Sequence, residues 1–180
     1  MAVPLIIVAV AIAIGVIAAA VVLYFNSAIT SMLGQPEHQQ QELIISKEVR
    51  SGSNGYRQVN VGVNGQVLIA DIAATDEQIV KGLSVKNTLA ENEAMLFVFG
   101  NEAQYTFWMK NMKFPIDIIW IDADKTVVHI EHNLQPCSSD LLCPTYKPVE
   151  GSLYVLETVA GFAEKHDIAK GTAVHFELSA

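Results

Sequence analysis

The chain has 180 residues, enough for one ordinary domain with extensions, and a net charge of −8 from 11 basic and 19 acidic residues. An exterior this acidic argues against nucleic acid and against docking on anionic lipid, since both require basic patches. The 51% hydrophobic content is not spread evenly: residues 1–36 contain no Lys, Arg, Asp, Glu or His.

After a leader at 1–3, residues 4–25 form an uncharged apolar run. As a helix rising about 1.5 Å per residue it is about 33 Å long, against a hydrocarbon core of about 30 Å. A helix also satisfies its own backbone N–H and C=O groups, which lipid cannot do. One transmembrane helix is therefore expected, with Tyr24 at the interface. The competing reading is a cleaved signal peptide, which calls for a basic n-region and a shorter apolar stretch. Here Ala18-Ala19-Ala20, the one small-residue run, is followed by further apolar residues through Phe25. No cysteine near the N-terminus offers a lipoprotein anchor. The first basic residue is Lys47, so flanking charge says little about orientation. By analogy with an export leader the N-terminus is placed inside and the remaining chain in the extracytoplasmic space.

Residues 26–56 read as a polar tether, with a Gln-rich stretch at 35–42 and a Gly/Ser-rich one at 51–55. Leu43-Ile44-Ile45 is a candidate edge strand within it. From 57 to 180 the pattern is globular. Residues 59–63 alternate, Asn64-Gly65 supplies a hairpin turn, and 66–73 alternate again. Thr75 followed by Asp76 and Glu77 marks a helix start that runs to about Gly82, with Ile79 and Leu83 facing the core. Strands follow at 94–99 and 105–109. Pro115 interrupts, and 116–121, apolar on both faces, suits a central strand. A turn at 122–125 returns the chain antiparallel over 126–130. A Pro/Ser-containing loop reaches Gly151, and the chain ends with a strand at 153–157, a short helix at 161–166 and a strand at 173–178. The expected class is α+β: a mostly antiparallel, bent or barrel-like sheet with two short helices, preceded by the membrane span.

The least generic stretch is 107–122. Asp117 shares its strand face with Ile119 and Ile121, and Glu157 shares its face with Leu153 and Val155. A carboxylate in such a strand must be partnered or protonated, because an unpaired buried charge is very costly. Lys110 and Asn111 are the nearby candidate partners for Asp117. As a pair, Asp117 and Glu157 have the makings of a general acid and base. The structural alternative has Asp117 holding the turn through Asn111 and Pro115, and Glu157 accepting backbone N–H groups at the following helix. Without a nucleophile or metal motif beside them, the structural alternative is preferred.

Cys137 and Cys143 are the only cysteines. In an exported domain they are expected to pair, and closing so short a loop stabilises by roughly 2 kcal/mol. Free thiols and a His/Cys metal site with His129 and His132 are the alternatives. Histidines three apart on a strand point to opposite faces, and zinc spacings usually place cysteines closer together. Copper ligation by Met109 and Met112 competes with core packing beside Trp108 and Phe114. Motifs for serine hydrolases, zincins and phosphate loops are absent from the sequence. No metal or other cofactor is implied.

In chain order, Gly82-Leu83, Met95 through Phe99, Phe107-Trp108-Met109-Lys110-Asn111 and Pro115-Ile116-Asp117 are followed by Pro136-Cys137, Cys143-Pro144-Thr145-Tyr146, and Tyr154 through Glu157 with Gly161. This series resembles the DUF192 family of bacteria and archaea over about 72–176. It departs from that pattern at Ser84, where Met is frequent, and at Ala94, where Gly is usual. The resemblance implies a small, mostly β domain, frequently exported or anchored, and no particular activity.

The leading functional reading is a non-catalytic, membrane-anchored extracytoplasmic module that binds a small molecule or a neighbouring envelope protein. Trp108, Lys110, Asn111, Asp117 and Glu157 are its candidate ligand-binding residues. The rivals are an acid/base enzyme using Asp117 and Glu157, and an assembly factor in a membrane protein complex.

Overall fold

Alternation through Val59, Val61 and Val63 makes β2 (Arg57–Val63), and Asn64-Gly65 turns the chain with φ of 42° and 80°. Both residues occupy the left-handed region, which Asn tolerates and Gly adopts freely, so β3 (Gln66–Ala73) returns as a tight antiparallel hairpin. These elements belong to a computed structural model that describes residues 50–51, 55–138 and 142–178. The expected span 4–25, most of the tether and the Leu43-Ile44-Ile45 strand lie outside the described residues. Among the described residues no helix is long and apolar enough to cross a membrane. The end of the expected tether contributes β1 (Arg50–Ser51), which pairs with the open edge of β2.

The helix α1 (Asp76–Lys81) begins at Thr75 with a reciprocal capping box: Gln78 N–H donates to the Thr75 hydroxyl, and the Thr75 N–H donates to the Gln78 side chain. It runs into a 3-10 turn (Gly82–Val85) that buries Leu83. This crossover makes β4 (Glu93–Ala103) parallel to β3, the one parallel pairing in a sheet otherwise antiparallel among the described strands. A parallel neighbour needs a connection of about a dozen residues or more, and α1 with its turn provides it.

Next come β5 (Phe107–Trp108), β6 (Ile116–Ile121), β7 (Val127–Leu134), β8 (Thr145–Tyr146), β9 (Ser152–Val159), α2 (Phe162–Lys165) and β10 (Val174–His175). The main sheet runs β1-β2-β3-β4-β9-β6-β7, while β5 and β8 form a separate small ribbon. The strand expected over 105–109 is thus only Phe107–Trp108. It leaves the main sheet after the register shift between Val98 and Ala103, and its pairing partner is the loop after Cys143. β10 pairs with β2, and Ala173 just before it bridges Thr126 just before β7, so this segment links β2 to the start of β7 in a curled sheet.

The curl gives the sheet two buried faces. One face packs Val61, Leu68, Leu96, Ile119 and Leu156 against Phe162 and Phe176. The opposite face packs Met95, Phe97, Ile118, Trp120 and Val155 beneath Leu83 and Met109. All six residues of β6 are buried, as a strand that is apolar apart from Asp117 and covered on both sides requires.

Candidate functional site

Period-two alternation assigns the two strand carboxylates to different faces. β6 and β9 are neighbours in which Asp117 pairs with Thr158, and Ile118 with Glu157. Asp117 therefore lies on the face of Ile119 and Ile121, and Glu157 on the face of Ile118 and Met95.

The Asp117 carboxylate is fully buried and fully employed. Oδ1 accepts from Asn133 N–H at 2.8 Å and Gly161 N–H at 3.0 Å, and Oδ2 accepts from Ala163 N–H at 2.9 Å. It thereby ties β6 to β7 and to the first turn of α2, where N–H groups lack helical partners. Lys110 and Asn111 are not its partners. An acid/base pair with Glu157 would have to act through the sheet, so the two residues share no site.

Glu157 is the carboxylate with capacity to spare. It is 4% exposed, and Oε2 has no hydrogen-bond partner among the described residues. Burial pushes its carboxyl up to about 8, opposed by one hydrogen bond from the Leu83 backbone N–H. That N–H is aimed by Gly82, whose φ of 48° and ψ of −146° no β-carbon-bearing residue adopts without strain. An added β-carbon there would also stand 3.4 Å from the Phe97 ring.

Over Glu157 opens a cleft of about 280 Å³, walled by Ile79 and Leu83 from the crossover and by Phe97, Phe99, Tyr105 and Phe107. The rings lock one another in place. Phe99 stacks on Tyr105 with centroids 3.5 Å apart, and Phe107 meets Phe97 and Trp120 edge-on at 4.9 and 5.9 Å. The indole N–H of buried Trp120 donates to the Tyr105 carbonyl at 3.0 Å, fixing the segment that carries this wall.

At the mouth stands Trp108, 53% exposed, with the Lys110 ammonium 5.4 Å from its ring centre. Val80, also strongly exposed, lines the cleft as well. Of the five candidate residues, Trp108, Lys110 and Glu157 come together at this cleft. Asn111 lies beside it without lining it. Its φ of 61° is a left-handed turn that Asn tolerates, and its N–H donates to the Cys137 carbonyl at 3.3 Å.

Cys137 and Cys143 form a disulfide. Both arms of the bridged loop hold the segment behind the cleft mouth: Cys137 N–H donates to the Met109 carbonyl at 3.0 Å, and Thr145 pairs with Trp108. The bridge thus braces the wall that presents Trp108 and Lys110. His129 packs against Trp120 and contacts Glu131, while His132 is exposed. Met109 is in the core and Met112 lines the cleft. Among the described residues no group of three or more His, Cys, Asp or Glu is placed to hold a metal ion.

Sequence reasoning missed the contribution of the crossover, which brings Val80, Gly82 and Leu83 to the cleft from far along the chain. It also missed Asp71, a third strand carboxylate, buried with Lys86 Nζ at 3.0 Å and Gln58 Nε2 at 2.8 Å. The signal was present: an Asp in an alternating apolar strand needs a partner, as at Asp117.

Residues 59–176 match the family DUF192, uncharacterized ACR. A crystal structure of a protein of unknown function from Novosphingobium aromaticivorans is similar at 30% identity, covering 72% of this chain and 91% of the other with a TM-score of 0.64. One described as a putative transcription regulator from Sinorhizobium meliloti is similar at 28% identity, over 67% and 94% of the two chains, with a TM-score of 0.61. Comparison with curated proteins gave no match.

Proposed function

We propose, given that the chain belongs to the DUF192 family, that it is a non-catalytic, membrane-anchored extracytoplasmic module that binds a small ligand in the cleft above Glu157. The observation that carries this reading is an unsatisfied, buried carboxyl oxygen at the base of an aromatic-walled cleft. A buried polar atom without a partner costs free energy that a complementary ligand recovers, and concave apolar sites with few polar groups are the usual form of small-molecule sites. In this reading Trp108 and Lys110 form the entrance and Glu157 fixes orientation, while Asp117 and Asn111 support the framework. The anchor rests on the uncharged run 4–25 and the exterior placement on the cysteine pair, since disulfides persist in oxidising compartments.

Two other readings are weaker. An acid/base enzyme using Asp117 and Glu157 is disfavoured by their positions on opposite faces. A role in transcription, the description carried by the Sinorhizobium meliloti neighbour, calls for a basic surface that a net charge of −8 does not supply.

The binding test uses the full chain in mild detergent with fluorinated tryptophan. Of the two tryptophans, Trp108 is exposed at the cleft and Trp120 is buried, so their fluorine resonances separate and W108F assigns them. Fragments that enter the cleft shift the Trp108 signal, and E157Q changes their ranking. A diverse fragment set that never moves Trp108 refutes the binding reading. For the anchor, alkaline carbonate should leave the chain in the membrane pellet, and protease added outside the cytoplasmic membrane should digest the globular part. Release into the supernatant, or protection from that protease, refutes the placement.

A further inference from the structure

Glu157 sits at the cleft base with one oxygen unmet, and no positive side chain contributes to its charge state: burial and the Leu83 N–H alone set it. Lys81 is engaged by Glu77 at 2.7 Å, and Lys110 lies over Trp108. The cross-strand neighbours of Glu157 are Met95 and Ile118, which carry no charge. Beyond Met95 on the same face, Asp71 is already matched by Lys86. Tyr105 is the remaining titratable group lining the cleft. Among the described residues, then, the cleft's two lysines are engaged elsewhere and no cation acts on the negative charge that Glu157 can carry.

Aromatic faces make up much of the wall, and ring faces attract cations. The chain supplies its own example, since Trp108 holds the Lys110 ammonium against its ring. An anionic ligand would meet Glu157 at the base with no opposing charge there.

Resting on the binding reading above, we propose that the occupant is a small organic ammonium with an apolar body, its N–H donating to Oε2 of Glu157 and its hydrocarbon lying along Phe97, Phe99 and Phe107. The balance is simple: at neutral pH the Glu157 proton leaves to solvent as the ammonium arrives, and an ion pair replaces a neutral acid. Binding should release protons and strengthen with pH up to about 8.

Three probes of one shape and different charge test this on the full chain: phenethylammonium, phenethyl alcohol and hydrocinnamate. At about pH 8.5 the ammonium should bind about tenfold more tightly than the alcohol, and below the Glu157 midpoint its affinity should fall by up to about tenfold per pH unit. Calorimetry of the unmodified protein in buffers of different ionisation enthalpy should register the released proton. E157Q should remove both the preference and the pH slope, and K110M, which takes away a like charge, should tighten ammonium binding. If the alcohol shifts the Trp108 resonance and binds as tightly as the ammonium, the ammonium inference falls and the binding reading stands. Hydrocinnamate binding tightest, with K110M abolishing it, also overturns the ammonium inference alone. If none of the three moves Trp108, the inference falls, and the wider fragment set decides the binding reading separately. Should E157Q fail to fold, the calorimetric proton count and pH slope of the unmodified chain still decide.

Discussion

Replacing Glu157 by Gln removes one ionisation from the interior while keeping shape and one carbonyl acceptor for the Leu83 N–H. In the folded protein this carboxyl is raised from an ordinary 4.5 to about 8 by burial. The unfolded chain loses the proton near 4.5 and the folded chain near 8, so between those values the unfolded state binds fewer protons. Stability contributed by the protonated carboxyl is full below about 4.5, declines as pH rises, and is gone above about 8. Relative to E157Q, the unmodified protein should lose roughly 1.4 kcal/mol per pH unit across that window, for a total of roughly 4–5 kcal/mol. At about pH 5 the two proteins should differ by about 1 kcal/mol or less, both side chains being largely neutral and nearly isosteric. Urea unfolding followed by circular dichroism, from about pH 4 to about pH 9, gives both curves. Subtracting one from the other cancels the remaining titrating groups. A difference that stays constant with pH, or that grows in favour of the unmodified protein as pH rises, refutes an uncompensated Glu157.

D117N should cost roughly 2–4 kcal/mol in urea unfolding, because three backbone N–H donors lose a charged acceptor and one meets an amide N–H instead; a cost under about 1 kcal/mol would deny Asp117 its role as a tie between strands and α2. K86M should cost roughly 3–5 kcal/mol by removing the ammonium that stands 3.0 Å from the buried Asp71 carboxylate, and adding D71N should recover most of that loss. If the double variant is as unstable as K86M alone, the pair is not what matters. Removing both cysteines as C137S/C143S should cost about 2 kcal/mol and broaden the Trp108 fluorine resonance, since the bridged loop braces Met109 and Trp108. An unchanged, sharp Trp108 signal would show that the wall holds without the bridge.

Features that depend on neighbours in sequence were readable from residues alone. The Asn64-Gly65 turn, the Thr75 cap, the doubly buried run of β6 and the match of Cys137 to Cys143 each follow from backbone preferences or short chain separation. Alternation also established that Asp117 and Glu157 sit among apolar strand residues and demand partners. The family resemblance lay in the same motif series, through Trp108, Lys110, Asp117 and Glu157. Which carboxylate receives partners was beyond such reasoning. The expected roles were in part exchanged: it is Asp117, not Glu157, that accepts backbone N–H groups at the following helix. Periodicity specifies that two residues face oppositely along a strand, but not what packs on either face. That is decided by long-range pairing: β9 inserts between β4 and β6, and the crossover after β3 lays Gly82 and Leu83 over Glu157. The parallel β3–β4 pair and the aromatic cleft arise the same way, from segments that meet only once the sheet has curled.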